Sequence, residues 1–321
     1  MPESVRKVPR LSLRSYLEGN ATDQEFFSRQ LALGLKEYGF IVLCDHPISE
    51  TLLNNAYEQA RLFFELDLKI KNKYSAQNNG GQRGYTPFGI EHAKDAKVAD
   101  LKEFWHVGQM LPSGHPYEES YVNNIWPEEL PTFKETFTAL YKALEDSGRI
   151  ILQALTSELQ VAKDYFDTMT KYGNSILRIL HYPPIPPTAD PRSIRAAAHE
   201  DINLITLLVS ATASGLQLKD RDGKWLDVKS KHNDIIVDSG DMLARITNDI
   251  YPATTHRVVN PEDANTDRFS IPFFMHPHPK AMLTCIESCR GAGARYEDIL
   301  AQDFLMERLR EIGLIQTSPN R

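Results

Sequence analysis

The segment HEDINLITLL, residues 199–208, places a histidine and two acids at the start of a run of branched apolar residues. Side chains at positions i and i+2 of a β-strand point to the same face, so His199 and Asp201 project together while Glu200 points away. A third side chain of this kind has to come from elsewhere in the chain. His256 is a candidate because it begins another apolar segment, 55 positions after Asp201. The sequence therefore predicts one metal site built from these three residues.

Two imidazoles and one carboxylate are the donor set of the facial triad, which holds Fe(II) in non-haem oxygenases and leaves coordination positions open. Zinc hydrolases can use the same donors, commonly through an HExxH motif on a helix, and this chain has no HExxH motif. A zinc hydrolase therefore remains an alternative without its usual motif. His276 and His278 repeat the i, i+2 spacing in HPHP, but prolines flank them and a structural role is expected.

A second pair of polar residues lies in RFSIPFF, which begins 12 positions after His256. Arg268 and Ser270 share one face of this predicted strand and offer a planar guanidinium fork and a hydroxyl, which together suit a carboxylate. Alternatively, Arg268 lies on the outer face and pairs with a surface acid. The apolar strand around it disfavours a solvated arginine, so the pair predicts an anion-binding position inside the fold.

The elements that position these residues change character along the chain. The first part is mostly helical in pattern, whereas short strands separated by turns follow residue 172, at spacings of about 8 to 12 residues. This pattern predicts a mixed α/β (α+β) fold: a double-stranded β-helix (jelly-roll) core with a helical N-terminal region and a C-terminal helix. The predicted boundaries are 6–130 for the N-terminal region, 172–280 for the core and 294–314 for the last helix. Residues 75–90, rich in Gly, Asn and Gln, are predicted to form a substrate loop.

Composition limits the class of protein. Of 321 residues, 41% are hydrophobic and 25% charged, which is ordinary for a globular protein, and the net charge of −7 argues against nucleic acid or an anionic membrane as partner. Three cysteines without a CxxC motif favour a reducing compartment. The start of the chain is too polar for a signal peptide, and no stretch approaches 18 apolar residues. A cytoplasmic protein is therefore expected, either monomeric or weakly dimeric.

Taken together, these segments resemble the isopenicillin N synthase-like branch of the 2-oxoglutarate/Fe(II)-dependent dioxygenase superfamily. The resemblance rests on HEDINLITLL, YPATTHRVVNP and RFSIPFF in that order, and on N-terminal segments such as EYGFIVLCDHPIS and RGYTPFGIE. It covers about residues 6–280. It implies that His199, Asp201 and His256 bind Fe(II), and that Arg268 and Ser270 bind the C5 carboxylate of 2-oxoglutarate.

The segment LRILHYPP matches a stretch that this branch often writes with Asn-Tyr-Tyr-Pro. The resemblance places Tyr182 on the second tyrosine, which helps to hold the co-substrate, and simple core packing is the alternative role. Leu180 and His181 stand where the pattern has Asn and the first Tyr. The contact made by that Asn therefore has no counterpart here.

The resemblance implies an oxidoreductase that uses Fe(II), O2 and 2-oxoglutarate to oxidise a small organic metabolite by hydroxylation, desaturation or ring formation, releasing succinate and CO2. The same branch includes isopenicillin N synthase-type oxidases, which use no 2-oxo acid and whose Arg-x-Ser pair holds a carboxylate of the substrate itself. Both chemistries are compatible with the motifs. A binding or structural protein with a relict site is a further alternative, although all five polar residues are present.

Four further residues are predicted to contact the substrate. Arg83 and Tyr85 lie in the predicted loop, and Arg192 and Arg195 precede the metal-binding segment. Loop arginines are often merely solvated, but two of them facing the site would favour a substrate that carries a carboxylate or a phosphate. The substrate is therefore predicted to be a small molecule, with an anionic group as one option.

Overall fold

The computed structural model describes residues 6–75, 82–91, 98–262 and 264–311, so residues 76–81 of the predicted loop lie outside it. The α-helices of the described residues are α1 (Leu13–Glu18), α2 (Ala21–Tyr38), α3 (Glu50–Phe64), α4 (Leu68–Lys71), α5 (Phe133–Leu155), α6 (Tyr165–Thr170), α7 (Asp241–Ile246) and α8 (Ala301–Glu311). The strands are β1 (Arg10–Ser12), β2 (Phe40–Cys44), β3 (Gly84–Thr86), β4 (Glu103–Gly108), β5 (Ile176–Tyr182), β6 (Ala196–His199), β7 (Ile205–Val209), β8 (Leu216–Lys219), β9 (Trp225–Asp227), β10 (Ile235–Ser239), β11 (His256–Val258), β12 (Arg268–Met275), β13 (Met282–Leu283) and β14 (Ile299–Leu300).

Two sheets form the core. The major sheet has the order β1-β2-β10-β7-β12-β5-β4-β3, and the minor sheet has the order β6-β11-β8-β9. Neighbouring strands are antiparallel in both sheets except for the parallel pair β1 and β2. Buried side chains from both sheets, such as Leu180 and Leu218, pack in one cluster between them. The predicted fold class, a mixed helix and sheet protein with a jelly-roll core, is confirmed.

The N-terminal helices form where the sequence supplies capping residues. The Asn20 side chain accepts hydrogen bonds from the backbone at the start of α2, and the Asp23 side chain accepts one from the Asn20 backbone N–H. The helix ends at Gly39, whose φ of 65° suits glycine and turns the chain into β2. All five residues of β2 are buried, so this strand joins the helical layer to the major sheet.

The two faces of the major sheet have different neighbours. On β12, Phe273 packs edge-on against Tyr141 of α5, with ring centres 5.0 Å apart. Because side chains alternate along a strand, Arg268 and Ser270 point to the opposite face, toward the minor sheet. The register places Arg268 beside Tyr182 of β5. The predicted anion-binding pair therefore lies inside the jelly roll.

The last helix begins later than the predicted residue 294. Residues Ile299–Leu300 pair with Met282–Leu283 as β14 and β13, so the backbone before Ala301 is extended. Helix α8 follows over Ala301–Glu311, and residues 312–314 lie outside the described part of the chain.

Candidate metal centre

Three side chains on two strands and a loop form the candidate metal centre. One donor atom from each of His199, Asp201 and His256 lies within 4.8 Å of the other two. The Nε2 atoms of both histidines are 3.9 Å from Asp201 Oδ1. His199 ends β6, His256 begins β11, and the two residues are paired in the register of the minor sheet. Strand pairing thus brings together residues that are far apart in sequence.

The two imidazoles are oriented by backbone carbonyls. Nδ1 of His199 donates to Ala197 O at 2.7 Å, and Nδ1 of His256 donates to Thr254 O at 3.1 Å. Each Nε2 is consequently unprotonated in the neutral ring and faces the carboxylate. Burial lowers the pKa of His199 to about 4, and the neighbouring His256 acts in the same direction. The ring is therefore in the neutral form that binds a metal.

The carboxylate of Asp201 is buried and yet ionised. Burial raises its pKa, but His256, His199 and the Thr206 hydroxyl together bring the pKa of Asp201 below its ordinary value. Thr206 Oγ1 donates to Asp201 Oδ2. This contact leaves Oδ1 on the side of the two histidines, so the set offers two neutral nitrogens and one anionic oxygen, which fits Fe(II).

The start of α7 holds the loop that carries Asp201. The backbone N–H of Asp241 donates to Asp201 O at 2.7 Å, and that of Gly240 donates to Leu204 O at 3.0 Å. These bonds use N–H groups that no helical partner can satisfy. The position of the carboxylate therefore depends on the packing of a short helix against its loop.

The predicted anion-binding residues are buried and incompletely satisfied. Arg268 is 1% exposed, its guanidinium carbon lies 5.0 Å from the centre of the Tyr182 ring, and Nε donates to Ala213 O at 3.1 Å. Among the described residues Nη1 has no hydrogen-bond partner. Ser270, 2% exposed, points to the same face two positions on. A buried guanidinium nitrogen without a partner is unfavourable, so this place fits the carboxylate of a 2-oxo acid.

Arg83 and Tyr85 face the helical layer. Tyr85 donates its hydroxyl to Glu103, and its ring packs 5.8 Å from that of Phe63 in α3. The guanidinium of Arg83 lies against the backbone of Gly108 and donates to the neighbouring carbonyl of residue 82. Because Tyr85 is in register with β4 and β5, its side chain is on the opposite face of the major sheet from Arg268. The contacts of these two residues give no support to their predicted role in substrate binding.

The other two predicted substrate residues differ from each other. Arg192 is exposed and pairs with Asp190 of the same loop at 2.6 Å. Arg195 is 2% exposed, donates to Thr266 O, and its Nε has no partner among the described residues. Burial and the nearby charge of Arg268 lower the pKa of Arg195. Only Arg195 of the four therefore lies beside the anion-binding pair.

Sequence reasoning missed a line of charged residues beside the metal centre, here called the polar wall: Glu91, Asp100, Lys102, His106 and Arg178. Arg178 donates to Glu91 at 3.1 Å and to His106 Nε2 at 2.6 Å, and Lys102 pairs with Glu91 at 2.8 Å and with Asp100 at 2.7 Å. The charge of Arg178 lowers the pKa of Asp201, and that of Lys102 lowers the pKa of His199. The wall therefore lies close to the candidate metal ligands.

The alternation of LKEFWHV was the signal that could have identified the polar wall. Lys102, Phe104 and His106 share one face of β4 by their spacing, and the guanidinium carbon of Arg178 lies 4.4 Å from the centre of the Phe104 ring. Although burial raises the pKa of Glu91, Arg178 and Lys102 hold it well below its usual range. Glu91 is thus ionised and lies between the two cationic side chains of the wall.

Asp238 is a further buried acid that sequence reasoning did not single out. It lies on β10 opposite Thr206 in the register, and it is 3% exposed. Burial and the neighbouring charge of Asp201 raise the pKa of Asp238 well above its usual range. Burial therefore favours the neutral, protonated form of Asp238 over a second charge behind the candidate metal ligands.

Two family models match the chain. Residues 8–129 match the N-terminal region described as that of non-haem dioxygenases in morphine synthesis, and residues 173–277 match the 2OG-Fe(II) oxygenase superfamily. The second match contains all three metal-binding candidates and the Arg-x-Ser pair. Within the described part of the chain, none of the helices has the length and apolar content needed to cross a bilayer.

Relatives with known names or structures agree with these matches. The 2-oxoglutarate-Fe(II) type oxidoreductase hxnY of Emericella nidulans is 32% identical over 281 residues, which cover 83% of this chain and 79% of the relative. A crystal structure of a 2OG-Fe(II) oxygenase family protein from Caulobacter crescentus is 40% identical with a TM-score of 0.87, covering 96% of this chain and 100% of that chain. A Neurospora crassa protein solved with α-ketoglutarate and thymine is 28% identical with a TM-score of 0.85, covering 97% and 98%. Shared identity, coverage and fold show that the chain belongs to the 2OG-Fe(II) oxygenase superfamily and is a 2-oxoglutarate-dependent dioxygenase.

Proposed function

We propose that one set of buried polar residues in the core binds Fe(II) and that a second set binds 2-oxoglutarate. The observation that carries the proposal is the convergence of two oriented Nε2 atoms on one carboxylate oxygen. The iron ligands are His199, Asp201 and His256, and the residues for the 2-oxoglutarate C5 carboxylate are Arg268, Ser270 and Tyr182. Iron bound at this place supplies the activation of O2 that is coupled to the conversion of 2-oxoglutarate to succinate and CO2.

The side chains around the iron ligands position the co-substrate and exclude water. The guanidinium of Arg268 offers its N–H donors in a fixed plane, and Nη1 has no partner within the described part of the chain. Tyr182, 2% exposed, lies under this guanidinium and restricts its orientation. Burial of both groups strengthens their interaction with an anion, because little water competes for the same donors.

The substrate is proposed to be a small polar metabolite that contacts the polar wall. Thymine, with which the Neurospora relative was crystallised, is a small polar molecule. It supports a substrate of this size for the present chain. An anionic group on the substrate is also proposed, supported by Arg195, whose Nε has no partner among the described residues. Arg178 already pairs with Glu91, so an anionic group would have to displace that carboxylate.

The experiment that tests these assignments is an anaerobic titration of the purified protein with Fe(II) and 2-oxoglutarate. We expect the weak visible charge-transfer band of a chelated 2-oxo acid, and O2 uptake that depends on 2-oxoglutarate. A protein that retains Zn(II) after anaerobic purification and shows no such band would contradict the iron assignment. An O2-uptake screen that pairs each acid with its neutral amide then separates anionic from neutral substrates.

The compartment is proposed to be the cytoplasm. Cys44, Cys285 and Cys289 are all buried and unpaired in the structure. Free buried thiols suit a reducing environment, which supports this proposal. Fractionation of the source cells, with a blot for the protein, tests it.

A further inference from the structure

His181 occupies an unusual place between two acids. Its Nδ1 lies 2.8 Å from Glu103 Oε1 and its Nε2 lies 2.6 Å from Asp267 Oδ1. A carboxylate accepts hydrogen bonds and donates none, so both ring nitrogens donate. The His181 ring is consequently held by a carboxylate on each side.

Glu103, the more deeply buried acid of this bridge, is ionised. Glu103, 5% exposed, also accepts from Lys71 Nζ at 2.9 Å and from the Tyr85 hydroxyl. Burial raises the pKa of Glu103, but the hydrogen bonds from His181, Tyr85 and Lys71 bring it below its ordinary value. Lys71, Tyr85 and His181 therefore converge on one buried carboxylate.

The bridge ties three neighbouring strands together directly behind the co-substrate site. Glu103 is on β4, His181 is on β5, and Asp267 immediately precedes Arg268 at the start of β12. The His181 ring also stacks on Phe269 at 4.7 Å, with an angle of 12° between the planes. Both neighbours of Arg268 in the chain are therefore held by the same imidazole.

The residues that flank this bridge point to the other face of the sheet. His181 is followed by Tyr182, and the register pairs Tyr182 with Arg268 and His181 with Phe269. Alternation along a strand puts Tyr182 and Arg268 on the inner face while the bridge lies on the helix-facing side. Movement of the bridge would therefore move both groups that are proposed to hold the C5 carboxylate.

We propose that His181 is a positioning residue for 2-oxoglutarate, fixing Arg268 and Tyr182 through its contacts with Asp267 and Glu103. This inference rests on the proposed binding of the C5 carboxylate by Arg268. It gives a physical role to the histidine that stands where the related pattern has a tyrosine. A tyrosine hydroxyl can donate only one hydrogen bond and carries no charge, so it could not bridge two carboxylates in this way.

The test is calorimetric titration of 2-oxoglutarate into protein loaded with Mn(II), which measures binding without turnover. His181→Phe keeps the stacked ring but removes both donors, and it should weaken 2-oxoglutarate binding about tenfold while Mn(II) affinity changes less than about twofold. Asp267→Asn should weaken binding in the same direction. The double variant should bind no more weakly than His181→Phe, because both changes remove one shared interaction.

Three comparisons make the outcome decisive. Asp190→Asn removes another loop acid that pairs with a side chain, and it should leave 2-oxoglutarate binding unchanged. Arg268→Lys tests the underlying assignment: if it leaves 2-oxoglutarate binding unchanged, the proposed co-substrate site fails rather than the role of His181. If His181→Phe does not fold, Asp267→Asn decides, since the Asp267 side chain is 51% exposed. Unchanged 2-oxoglutarate binding in the folded variants, or equal losses for Mn(II) and 2-oxoglutarate, would overturn the inference.

Discussion

Buried arginines in this protein differ in whether their N–H groups all have hydrogen-bond partners. We expect fully paired arginines to have structural roles and incompletely paired arginines to bind ligands. Arg178 has a carboxylate and an imidazole as partners, and its guanidinium lies against an aromatic ring. Arg268 is buried more completely, yet its Nη1 has no partner among the described residues. An unsatisfied donor costs free energy that a ligand recovers on binding. Nε of Arg195 also lacks a partner among the described residues, so Arg195 is a further candidate for binding an anionic ligand.

Removal of the carboxylate ligand should abolish iron binding. Asp201→Ala leaves two neutral imidazoles, which lack the anionic donor of the triad. Iron analysis after anaerobic reconstitution should show loss of stoichiometric Fe(II), with activity reduced to background. Glu200→Ala is the matched control, because Glu200 points away and accepts a hydrogen bond from Thr255 instead. Equal iron contents in Asp201→Ala and the wild type would contradict the assignment of Asp201 as an iron ligand.

Replacement of the Arg268 guanidinium by a lysine ammonium group should weaken the binding of 2-oxoglutarate and leave iron binding unchanged. Arg268→Lys keeps the charge but loses the planar pair of donors, so the KM for 2-oxoglutarate should rise about 10- to 100-fold. Iron content should not change, since Arg268 is not among the proposed iron ligands. Arg192→Lys, at an exposed loop position, should behave as the wild type in steady-state kinetics. A fall in kcat with an unchanged KM would contradict the assignment.

At the scale of elements, the metal centre depends on how a short helix meets a loop. The first N–H groups of α7 bind the carbonyls of residues 201 and 204, as described above. Gly240 lies at this junction, and a Cβ atom there would come within 2.3 Å of Asn203 O and 2.8 Å of Asp201 O. Both contacts are with backbone, which cannot rotate away as a side chain can. The close approach therefore requires glycine.

A methyl group at this junction should disturb the metal centre. Gly240→Ala should lower the free energy of unfolding by about 1–3 kcal/mol and also weaken Mn(II) binding, because the loop that carries Asp201 must shift. Gly223→Ala is the control: an added Cβ has nothing within 4 Å, but the φ of 81° makes alanine strained. It should lose stability and keep its metal affinity. Calorimetric titration with Mn(II) distinguishes the two, and identical metal affinities would refute the proposed coupling.

At the scale of the whole molecule, the helical layer and the major sheet share one hydrophobic core. Phe63 of α3, Tyr141 of α5 and Phe273 of β12 belong to the same buried cluster. The inner face of the same sheet packs against the minor sheet and carries the polar residues of the site. We therefore expect the N-terminal region and the jelly roll to unfold together, since neither can bury its apolar face alone.

Stability of the whole molecule should fall as the pH falls, partly through His276. Burial lowers the pKa of His276 to about 4, and its Nδ1 donates to Phe274 O at 3.2 Å. The unfolded chain has a pKa of about 6.5 at this residue, so it binds the proton first and stability drops between roughly pH 6.5 and pH 4. The contribution above that range is on the order of 3 kcal/mol.

Urea unfolding at several pH values, in the presence of a chelator, tests this expectation. His276→Asn keeps a donor for the Phe274 carbonyl and should flatten the dependence between about pH 7 and pH 5. His232→Asn removes an exposed histidine and should keep the slope of the wild type. His199, a proposed metal ligand, contributes equally to all three proteins, so the differences between them report on His276. The same slope in His276→Asn and the wild type would rule out the proposed contribution.

The sequence by itself determined the class of fold, the family and the residues proposed as metal ligands. Alternation along a strand is a local property, so the shared face of His199 and Asp201, and that of Arg268 and Ser270, could be inferred from spacing alone. The order of the motifs then carried the resemblance, which the matched families confirm. The comparisons also favour use of 2-oxoglutarate over the oxidase chemistry that the motifs left open.

Only the tertiary structure decided which polar residues share the interior with those ligands. Tyr85 lies on β3 and Lys102 immediately precedes β4. Tyr85 nevertheless faces helix α3, whereas Lys102 lies beside the proposed metal ligands. Spacing shows which residues share a face, but the identity of that face depends on the neighbouring strands and on the layer that covers them. The bridge from His181 to Glu103 and Asp267 likewise joins three strands whose adjacency in the sheet is a result of long-range pairing. No local pattern in the sequence specifies such pairing, because it is set by which apolar faces are buried together when the whole chain folds.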